Sequence, residues 1–249
     1  MKSSGEKIVC LTAYDFTSGA ICDAAGADLI LVGDSVGNVV LGYETTVPVS
    51  LEEIAHHTEA TRRAVKNALL VADLPFGSYQ VSPEQAVESS IYLMKAGAEA
   101  VKLEGAYTEA IAAINKAGIP VMGHVGFTPQ SVNSFGGFKV QGRGNDAKRV
   151  REEACQIQEA GAFGIVLELV PAELAQKVTA ELDVPTIGIG AGPHCDGQIQ
   201  VFHDVVGLSE ETFKHAKDYV GARGQFVDGL KQYAAEVRNS EFPTEDNSF

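Results

Sequence analysis

The sequence predicts an α/β protein with the (β/α)8 TIM-barrel fold. Short apolar runs alternate with amphipathic stretches, and the runs lack the polar alternation of a strand with one solvated face. A second signal is a repeated order of helix end, Ala-Gly and next strand. The length of 249 residues also suits about eight βα units. An open, doubly wound sheet is the alternative that the pattern leaves.

Eight apolar runs are the predicted strands, the last one being the weakest. In chain order they cover residues 8–13, 28–33, 68–72, 98–103, 119–123, 163–167, 185–189 and 198–202. Amphipathic patterns between them predict helices, among which are 51–66, 83–95, 146–160 and 172–181. Continuous Val, Ile, Leu and Ala character is typical of parallel strands that are covered on both faces.

Glycines mark where several of these helices end. Gly26, Gly97, Gly118 and Gly161 each follow an alanine just before a strand, which fits the left-handed residue that terminates a helix. Because no Pro/Ser-rich linker interrupts the pattern, we expect one barrel domain over residues 1–239. The polar, acidic residues 240–249 predict a mobile tail.

Composition excludes several classes of protein. There are 19 basic and 33 acidic side chains, and the net charge of −14 disfavours binding to nucleic acid or to an anionic membrane surface. No apolar run reaches the roughly 18 residues of a spanning helix, and the first ten residues lack a signal-peptide core. A soluble, cytoplasmic protein is therefore expected. Four cysteines without a CxxC pair predict reduced, structural thiols.

Ionisable residues follow strand after strand. The residues at the predicted strand ends are Asp34 and Ser35, Asp73, Lys102 and Glu104, His124, and Glu168. Because the carboxyl ends of barrel strands meet at one face, we expect these side chains to converge there. That face carries the active site in TIM-barrel enzymes.

Four converging carboxylates predict a bound cation. Asp34, Asp73, Glu104 and Glu168 would repel one another strongly without a counter-charge. Carboxylate oxygens without clustered His or Cys favour a hard divalent ion, and Mg²⁺ in particular. The alternative is that each acid caps the following helix, as Asp and Ser often do. The coincidence of four acids favours the metal site.

Lys102 and Glu104 are two residues apart, so that their side chains should project from the same face of the strand into the barrel mouth. Lys102 would bind an anionic substrate there, or form an internal ion pair with Glu104. The two roles are compatible.

Other features are weaker. The glycine-rich stretch 188–192 would cradle a phosphate or, more simply, allow close backbone packing. The long connection 136–144 has the length of a functional loop. His194, Cys195 and His203 lack the paired spacing of a transition-metal site, and ordinary loop roles are favoured for them.

Several motifs together resemble the ketopantoate hydroxymethyltransferase family. The resemblance runs from about residue 7 to residue 243. The motifs, in order, are TAYD from Thr12, VGDSVGNVVLGYETTVPVS from Val32, VADLPFGSY from Val71, VKLEG from Val101, GHVGFTPQSVN from Gly123, GGFKVQGR from Gly136, IVLELVPAEL from Ile165 and PTIGIGAGPHCDGQI from Pro185. Such an ordered set is highly specific.

The resemblance implies a barrel of the phosphoenolpyruvate/pyruvate superfamily type. It also implies transfer of a one-carbon unit from 5,10-methylenetetrahydrofolate to 3-methyl-2-oxobutanoate, giving 2-dehydropantoate and tetrahydrofolate in pantothenate biosynthesis. A metal-dependent 2-oxo-acid lyase or hydrolase on the same barrel is the alternative, and a catalytically silent binding barrel is disfavoured by the intact carboxylates. The family commonly forms a decamer of two pentamers.

The resemblance also assigns roles to residues. Asp34, Asp73 and Glu104 match the family's Mg²⁺ site, with Glu104 acting directly or through a bound water. Asp34, Ser35, Asp73 and Lys102 match its contacts to the keto acid. His124 matches an active-site position taken here as substrate-binding, and Glu168 matches the proton acceptor. Two departures are Asn38, where an apolar residue is expected, and the acidic tail.

Overall fold

A computed structural model describes residues 1–211 and 213–249. Its eight strands form a closed barrel in chain order, and every neighbouring pair is parallel. The strands are β1 (Ile8–Thr12), β2 (Leu29–Val32), β3 (Leu69–Asp73), β4 (Ala100–Lys102), β5 (Val121–Gly126), β6 (Gly164–Glu168), β7 (Thr186–Ile189) and β8 (Gly197–Gln200). The predicted TIM barrel is confirmed.

Helices alternate with the strands along the chain. The α-helices in the described part of the chain are α1 (Phe16–Ala24), α2 (Val36–Val39), α3 (Leu51–Arg62), α4 (Pro83–Lys95), α5 (Thr108–Lys116), α6 (Val132–Phe135), α7 (Asp146–Glu159), α8 (Ala172–Glu181), α9 (Phe202–Val205) and α10 (Ala222–Arg238). Helices α4 and α8 have the predicted bounds. No described helix combines the length and apolarity that a membrane crossing requires.

Side chains at the first turn of several helices fix where those helices begin. In α3, Ser50 accepts a hydrogen bond from the Glu53 amide, and the Glu53 carboxylate accepts one from the Ser50 amide. This reciprocal pair satisfies two amides that lack a partner within the helix. Helix α3 stops before the predicted residue 66, because the carboxylate of Asp23 accepts the amides of residues 66–68.

The predicted helix-ending glycines have the expected backbone. Gly26, Gly97, Gly118 and Gly161 have φ angles of 82°, 109°, 86° and 102°. Each lies one residue beyond the C-cap of its helix, in α1, α4, α5 and α7 respectively. The Ala-Gly signal therefore identified four helix ends correctly, because a residue with a Cβ would be strained there.

One apolar layer fills the barrel interior, and every strand contributes to it. Its buried members are Cys10, Leu29, Leu31, Val71, Ala100, Met122, Val166, Ile187 and Ile199. Since side chains alternate along a strand, the residue two positions further on also points inward. That next layer contains Asp73, Lys102, His124 and Glu168, so polar groups lie directly above the apolar layer.

The barrel closes where β1 pairs with β8. Ile8 and Gly197 are register partners. A Cβ at Gly197 would lie 2.5 Å from the carbonyl oxygen of Ile8 and 2.7 Å from Cδ1 of Ile187. Residue 197 must therefore lack a side chain for the two strands to approach this closely.

The chain divides into two compact units, Met1–Phe202 and His203–Phe249. The first contains the whole barrel. The second contains α10 and a 3₁₀ turn at Glu245–Asn247, and α10 exposes Phe226, Leu230 and Tyr233. The expected extent of one domain over 1–239 and the mobility of 240–249 stay predictions.

Candidate active site

The ionisable residues identified from the sequence meet at the carboxyl end of the barrel. Asp34, Asp73, Lys102, Glu104 and His124 are each at most 4% exposed. The Glu168 side chain keeps 17% of its surface accessible. Charged groups are this deeply buried only when they are paired or bind an ion. The predicted convergence is therefore observed as a set of contacts.

Lys102 and Asp73 form a buried ion pair. They are register partners on β4 and β3, and Nζ of Lys102 lies 2.6 Å from Oδ1 of Asp73. Oδ2 of Asp73 accepts a hydrogen bond of 3.0 Å from the Asp34 amide. Burial alone would lower the pKa of Lys102, but Asp73, Glu104 and Asp34 outweigh it and raise that pKa. Lys102 is therefore a fixed cation at neutral pH.

His124 lies between two of the carboxylates. Its Nδ1 is 3.5 Å from Oε1 of Glu104, and its Nε2 is 3.3 Å from Oε2 of Glu168. Burial alone would lower the pKa of His124, but these two acids raise it to about 9. The imidazolium thus carries a positive charge between Glu104 and Glu168.

Two local predictions need correction. Strand β5 does not end at His124 but continues to Gly126, so His124 lies inside the strand. Strand β4 ends at Lys102, so Glu104 follows the strand. Its buried carboxylate nevertheless reaches the same cluster through His124 and the amide of Gln130. The prediction that Lys102 and Glu104 lie on one strand is wrong, since β4 ends at Lys102. Both side chains nevertheless contact the cluster at the barrel mouth, as expected.

Negative charge remains in excess at the cluster. Burial first, and then the neighbouring Asp73 and Glu104, raise the pKa of Asp34 well above its ordinary value. A group that is hard to ionise because of neighbouring acids marks a place where an added cation would be stabilised. Hard carboxylate oxygens are also the donors that Mg²⁺ prefers. The residue types present therefore fit a divalent ion.

The hydrogen bonds and ion pairs of these carboxylates show which protein donors a bound ion would compete with. Five of the six carboxylate oxygens of Asp34, Asp73 and Glu104 face protein donors. Accordingly, within residues 1–211 and 213–249 no three His, Cys, Asp or Glu side chains stand in a ready ligand arrangement.

Gln130 joins the cluster and was not singled out by the sequence analysis. Its Nε2 donates to Oδ2 of Asp34 and to the carbonyl of Leu74, both at 3.0 Å. Its amide donates to Oε2 of Glu104, and its Oε1 accepts from the Tyr79 hydroxyl. Gln130 lies inside the quoted GHVGFTPQSVN motif, but a glutamine in a loop carries no spacing signal.

Helix capping does not account for the acids. The helix-capping side chains with a bond to their own first turn include Asp15, Ser50 and Ser82, which lie outside the cluster. Ser35 precedes α2 without such a bond, and its Oγ lies 2.8 Å from the Tyr14 hydroxyl. The alternative of simple capping is therefore not supported for Asp34 and Ser35.

The weaker candidates have structural roles. A Cβ at Gly188 would lie 3.0 Å from Sγ of Cys195 and 3.2 Å from the Gln198 amide group. Close packing thus explains the first glycine of the stretch 188–192 without a phosphate. Asn38 is exposed, and its Nδ2 donates to the carbonyl of Tyr43. It does not touch the cluster.

Comparison with known proteins decides the family. The ketopantoate hydroxymethyltransferase family profile matches residues 1–245. The chain belongs to the ketopantoate hydroxymethyltransferase family. A 3-methyl-2-oxobutanoate hydroxymethyltransferase of Syntrophus aciditrophicus is 52% identical to it, over 100% of this chain and 93% of that protein. One from Mycobacterium bovis is 49% identical, over 100% and 90%.

Solved structures of low sequence identity share the barrel fold of this chain. A phosphonopyruvate hydrolase in complex with oxalate and Mg²⁺ gives a TM-score of 0.64 at 14% identity, covering 98% of this chain and 89% of that one. A 2,3-dimethylmalate lyase of the PEP mutase/isocitrate lyase superfamily gives 0.62 at 15%, covering 98% and 87%. Among the alternatives left by the sequence, the family selects the transferase over the lyase or hydrolase.

Proposed function

We propose that this site transfers a one-carbon unit from 5,10-methylenetetrahydrofolate to 3-methyl-2-oxobutanoate, a step of pantothenate biosynthesis. The observation that carries the proposal is the arrangement of a partly accessible carboxylate, Glu168, beside a buried cluster of Asp73, Lys102 and His124. A base and a fixed cation at one barrel mouth suit the removal of a proton next to a carbonyl.

The metal of the proposal is Mg²⁺, held by Asp34, Asp73 and Glu104. Support comes from the hard oxygen donors, their burial and the raised pKa of Asp34. When bound, the ion supplies positive charge that stabilises negative charge developing on the keto oxygen. All three side chains are held by backbone that directly ends or follows a barrel strand.

The keto acid is bound by Ser35 and Lys102, together with Asp34 and Asp73 on the metal side. Lys102 attracts the substrate carboxylate, because its ammonium is cationic and buried. The Ser35 hydroxyl, oriented by Tyr14, donates to the same end of the substrate. These contacts hold the C3–H bond in a fixed direction, which lowers the entropic part of the barrier.

Glu168 accepts the proton from C3 of the keto acid. It is the least buried acid of the cluster, and His124 Nε2 lies 3.3 Å from its Oε2, which orients the carboxylate. The electron pair left at C3 forms a bond to the methylene carbon of the folate. The methylene carbon is bonded to two folate nitrogens, and both carbon–nitrogen bonds break. Water supplies the hydroxyl oxygen of 2-dehydropantoate, and the proton from C3 and one proton of that water protonate the two nitrogens, which gives tetrahydrofolate.

Glu168→Gln tests the base. We expect the Mg²⁺-dependent exchange of deuterium at C3, followed by NMR without folate, to fall by about 10²-fold or more, since a general base contributes on that order. Keto-acid binding should stay near wild type. Glu173→Gln, an exposed acid on α8, is the matched control and should exchange normally. Wild-type exchange in Glu168→Gln would remove this residue from the base role.

Asp34→Asn and Asp73→Asn test the metal site. Each removes one hard oxygen ligand and its charge, so we expect Mg²⁺ affinity measured by calorimetry to fall at least tenfold. Asp183→Asn is an exposed control outside the cluster and should leave the isotherm unchanged. Unchanged isotherms in both cluster variants would mean that these carboxylates are structural.

Assembly and location complete the proposal. By the family resemblance, the chain forms a cytoplasmic decamer of two pentamers, which sedimentation of the purified protein tests directly. A particle with fewer chains would contradict the decamer without affecting the proposed chemistry.

A further inference from the structure

The loop 136–144, of sequence GGFKVQGRG, is attached to the backbone at the end of β6, the strand that carries Glu168. It connects α6 to α7. Just before α6, the amide of Phe127 donates to the carbonyl of Glu168, at 2.9 Å. Within the loop, the amide of Gln141 donates to the carbonyl of Leu169, also at 2.9 Å. Both bonds attach this part of the chain to the end of β6.

The loop presents an exposed aromatic ring on a buried support. Phe138 is 65% exposed, although it is large and apolar. Its ring centroid lies 4.9 Å from that of buried Phe127, which in turn lies 5.8 Å from that of Phe135. The ring is therefore backed by aromatic neighbours while most of its surface stays open. Such a supported ring is suited to stack on a planar ligand.

The same segment carries unpaired positive charge on a strongly acidic protein. Residues 127–145 contain no Asp or Glu, whereas the chain has 33 of them. Lys139 and Arg143 belong to this segment, and among the described residues neither has an acidic partner within 4.0 Å. Arg149, on the following helix, pairs with Asp146 and Glu153 instead. Cations without an internal partner are available to an anion.

Glycines flank the aromatic residue and the lysine. Gly136 and Gly137 precede them with φ of 64° and 104°, and Gly142 follows with φ of 76°. These left-handed positions let the backbone turn sharply on both sides of Phe138. Gly142 is itself fixed, since its amide donates to Asp146 Oδ2 at 2.6 Å. The turn therefore presents Phe138 and Lys139 from an anchored base.

We propose that the loop 136–144 binds the one-carbon donor, with Phe138 stacked on the folate rings and Lys139 and Arg143 holding its glutamate carboxylates. The inference rests on the proposed function and assigns the residues that recognise its co-substrate. The donor joins a bicyclic ring and an aminobenzoyl ring to an anionic tail, and the transferred carbon bridges a nitrogen of the bicyclic ring and the nitrogen of the aminobenzoyl group. A ring stacked on Phe138 is held by a loop that is hydrogen-bonded to Leu169, the residue after Glu168, while the tail extends to the cations.

Binding of two ligands tests the two contacts separately. Calorimetry is done with tetrahydropteroyltriglutamate and with tetrahydropteroate, which lacks the glutamate residues of the tail and keeps a single carboxylate. We expect Phe138→Ala to weaken both ligands about tenfold, since stacking of a ring on an aromatic side chain is worth on that order. Phe138→Tyr should restore the affinity to within twofold of wild type.

The charge contacts have their own signature. In wild type, the triglutamate tail should strengthen binding at least tenfold. This gain in affinity should shrink between 50 and 500 mM salt, because salt screens the attraction between exposed charges. In Lys139→Gln/Arg143→Gln the gain should fall below twofold at every salt concentration. Lys148→Gln and Tyr92→Ala, exposed residues on α7 and α4, are the controls for charge and ring and should resemble wild type.

The outcomes separate this inference from the function on which it rests. Deuterium exchange at C3 of the keto acid needs no folate and reports whether the barrel mouth is intact in each variant. Suppose that wild type forms 2-dehydropantoate but the loop variants bind both folates within twofold of wild type. The assignment of folate binding to the loop is then wrong, and the proposed function stands. If wild type neither binds the folates nor forms the product, the proposed function falls together with this assignment.

Discussion

The side-chain amide of Gln130 is hydrogen-bonded to several polar groups at the barrel mouth. Gln130 donates to Asp34 and to the Leu74 carbonyl, and accepts from the Tyr79 hydroxyl. Removing it would leave buried polar atoms without their partners, which is more costly than losing one hydrogen bond in water. Gln130 therefore fixes the position of the Asp34 carboxylate.

Gln130→Leu should expose this dependence. We expect a loss of stability of about 1–3 kcal/mol, the usual cost of stranded buried polar groups. Mg²⁺ affinity and C3 exchange should fall as well, because Asp34 loses its orienting donor. Chemical denaturation and calorimetry measure both effects, with the exposed Gln232→Leu on α10 as control. Normal stability together with normal Mg²⁺ affinity would contradict the positioning role.

Among single residues, the sequence identified the charged groups of the site better than the neutral residues that link them. Asp34, Asp73 and Glu168 could be identified because an ionisable residue after an apolar strand is unusual, and strand ends converge in a barrel. Gln130 and Tyr79 gave no such signal, since neutral polar residues in loops are common. Only the folded structure shows that Gln130 reaches the carboxylates of Asp34 and Glu104. It also shows that the Tyr79 hydroxyl contacts the Gln130 side chain and the Glu104 backbone.

Among the elements, β5 and β6 determine where Glu168 lies. Gly126 ends β5 opposite Glu168, with φ of 97°. A Cβ on Gly126 would overlap the carbonyl oxygen of Glu168 and lie 2.7 Å from Cγ1 of Val170. The absence of a side chain at this position is thus what permits the end of β6 to approach.

Gly126→Ala should disturb catalysis through the backbone alone. Positive φ costs about 1–2 kcal/mol for a residue with a Cβ, and the overlap with β6 adds about 1–3 kcal/mol. Gly118→Ala is the matched control, because its φ of 86° imposes similar strain but a Cβ there meets nothing within 4 Å. We expect both variants to lose stability and only Gly126→Ala to lose C3 exchange. Equal exchange in the two would contradict this.

Element bounds were predictable where local chemistry sets them. Helix α4 begins at Pro83 after the capping Ser82, and ends near Gly97, and its predicted bounds were correct. Helix α3 was predicted too long, because its end depends on Asp23, which is distant in sequence. Likewise, β5 extends past its apolar run to Gly126 because it pairs with β6 along that length. Contacts distant in sequence leave no local pattern.

Across the whole molecule, the thiols are part of the packed interior. All four cysteines are free, and three of them are buried. Burial, followed by the nearby Asp28, raises the pKa of Cys10 to about 12. Burial, followed by Asp15, raises the pKa of Cys22 to about 12 as well. The folded protein therefore keeps these thiols protonated where an unfolded chain would ionise them.

This difference predicts a loss of stability at alkaline pH. Above the ordinary thiol pKa of 9.0 the unfolded chain binds fewer protons than the folded one, so stability falls as pH rises toward 12. Each thiol contributes up to about 1.4 kcal/mol per pH unit. In urea titrations from pH 9 to 11, the wild type should lose stability faster than Cys10→Ala/Cys22→Ala. Parallel curves would show that these thiols are not responsible.

The second unit, His203–Phe249, was not distinguished from the barrel by the sequence. Its composition continues without a linker, and α10 has the ordinary pattern of an amphipathic helix. What separates the unit is the absence of strand pairing after β8 in the described chain, which a one-dimensional pattern does not report.

Closure of the ring also bears on how the protein is made. The first strand is joined to the last through Ile8 and Gly197, which are far apart in sequence. During synthesis, the edge of β1 that pairs with β8 therefore has no partner until about four-fifths of the chain has been made. Unpaired strand edges invite pairing between molecules. Aggregation during expression should thus begin with incomplete or opened rings, and the finished barrel, which has no free edge, is protected from it.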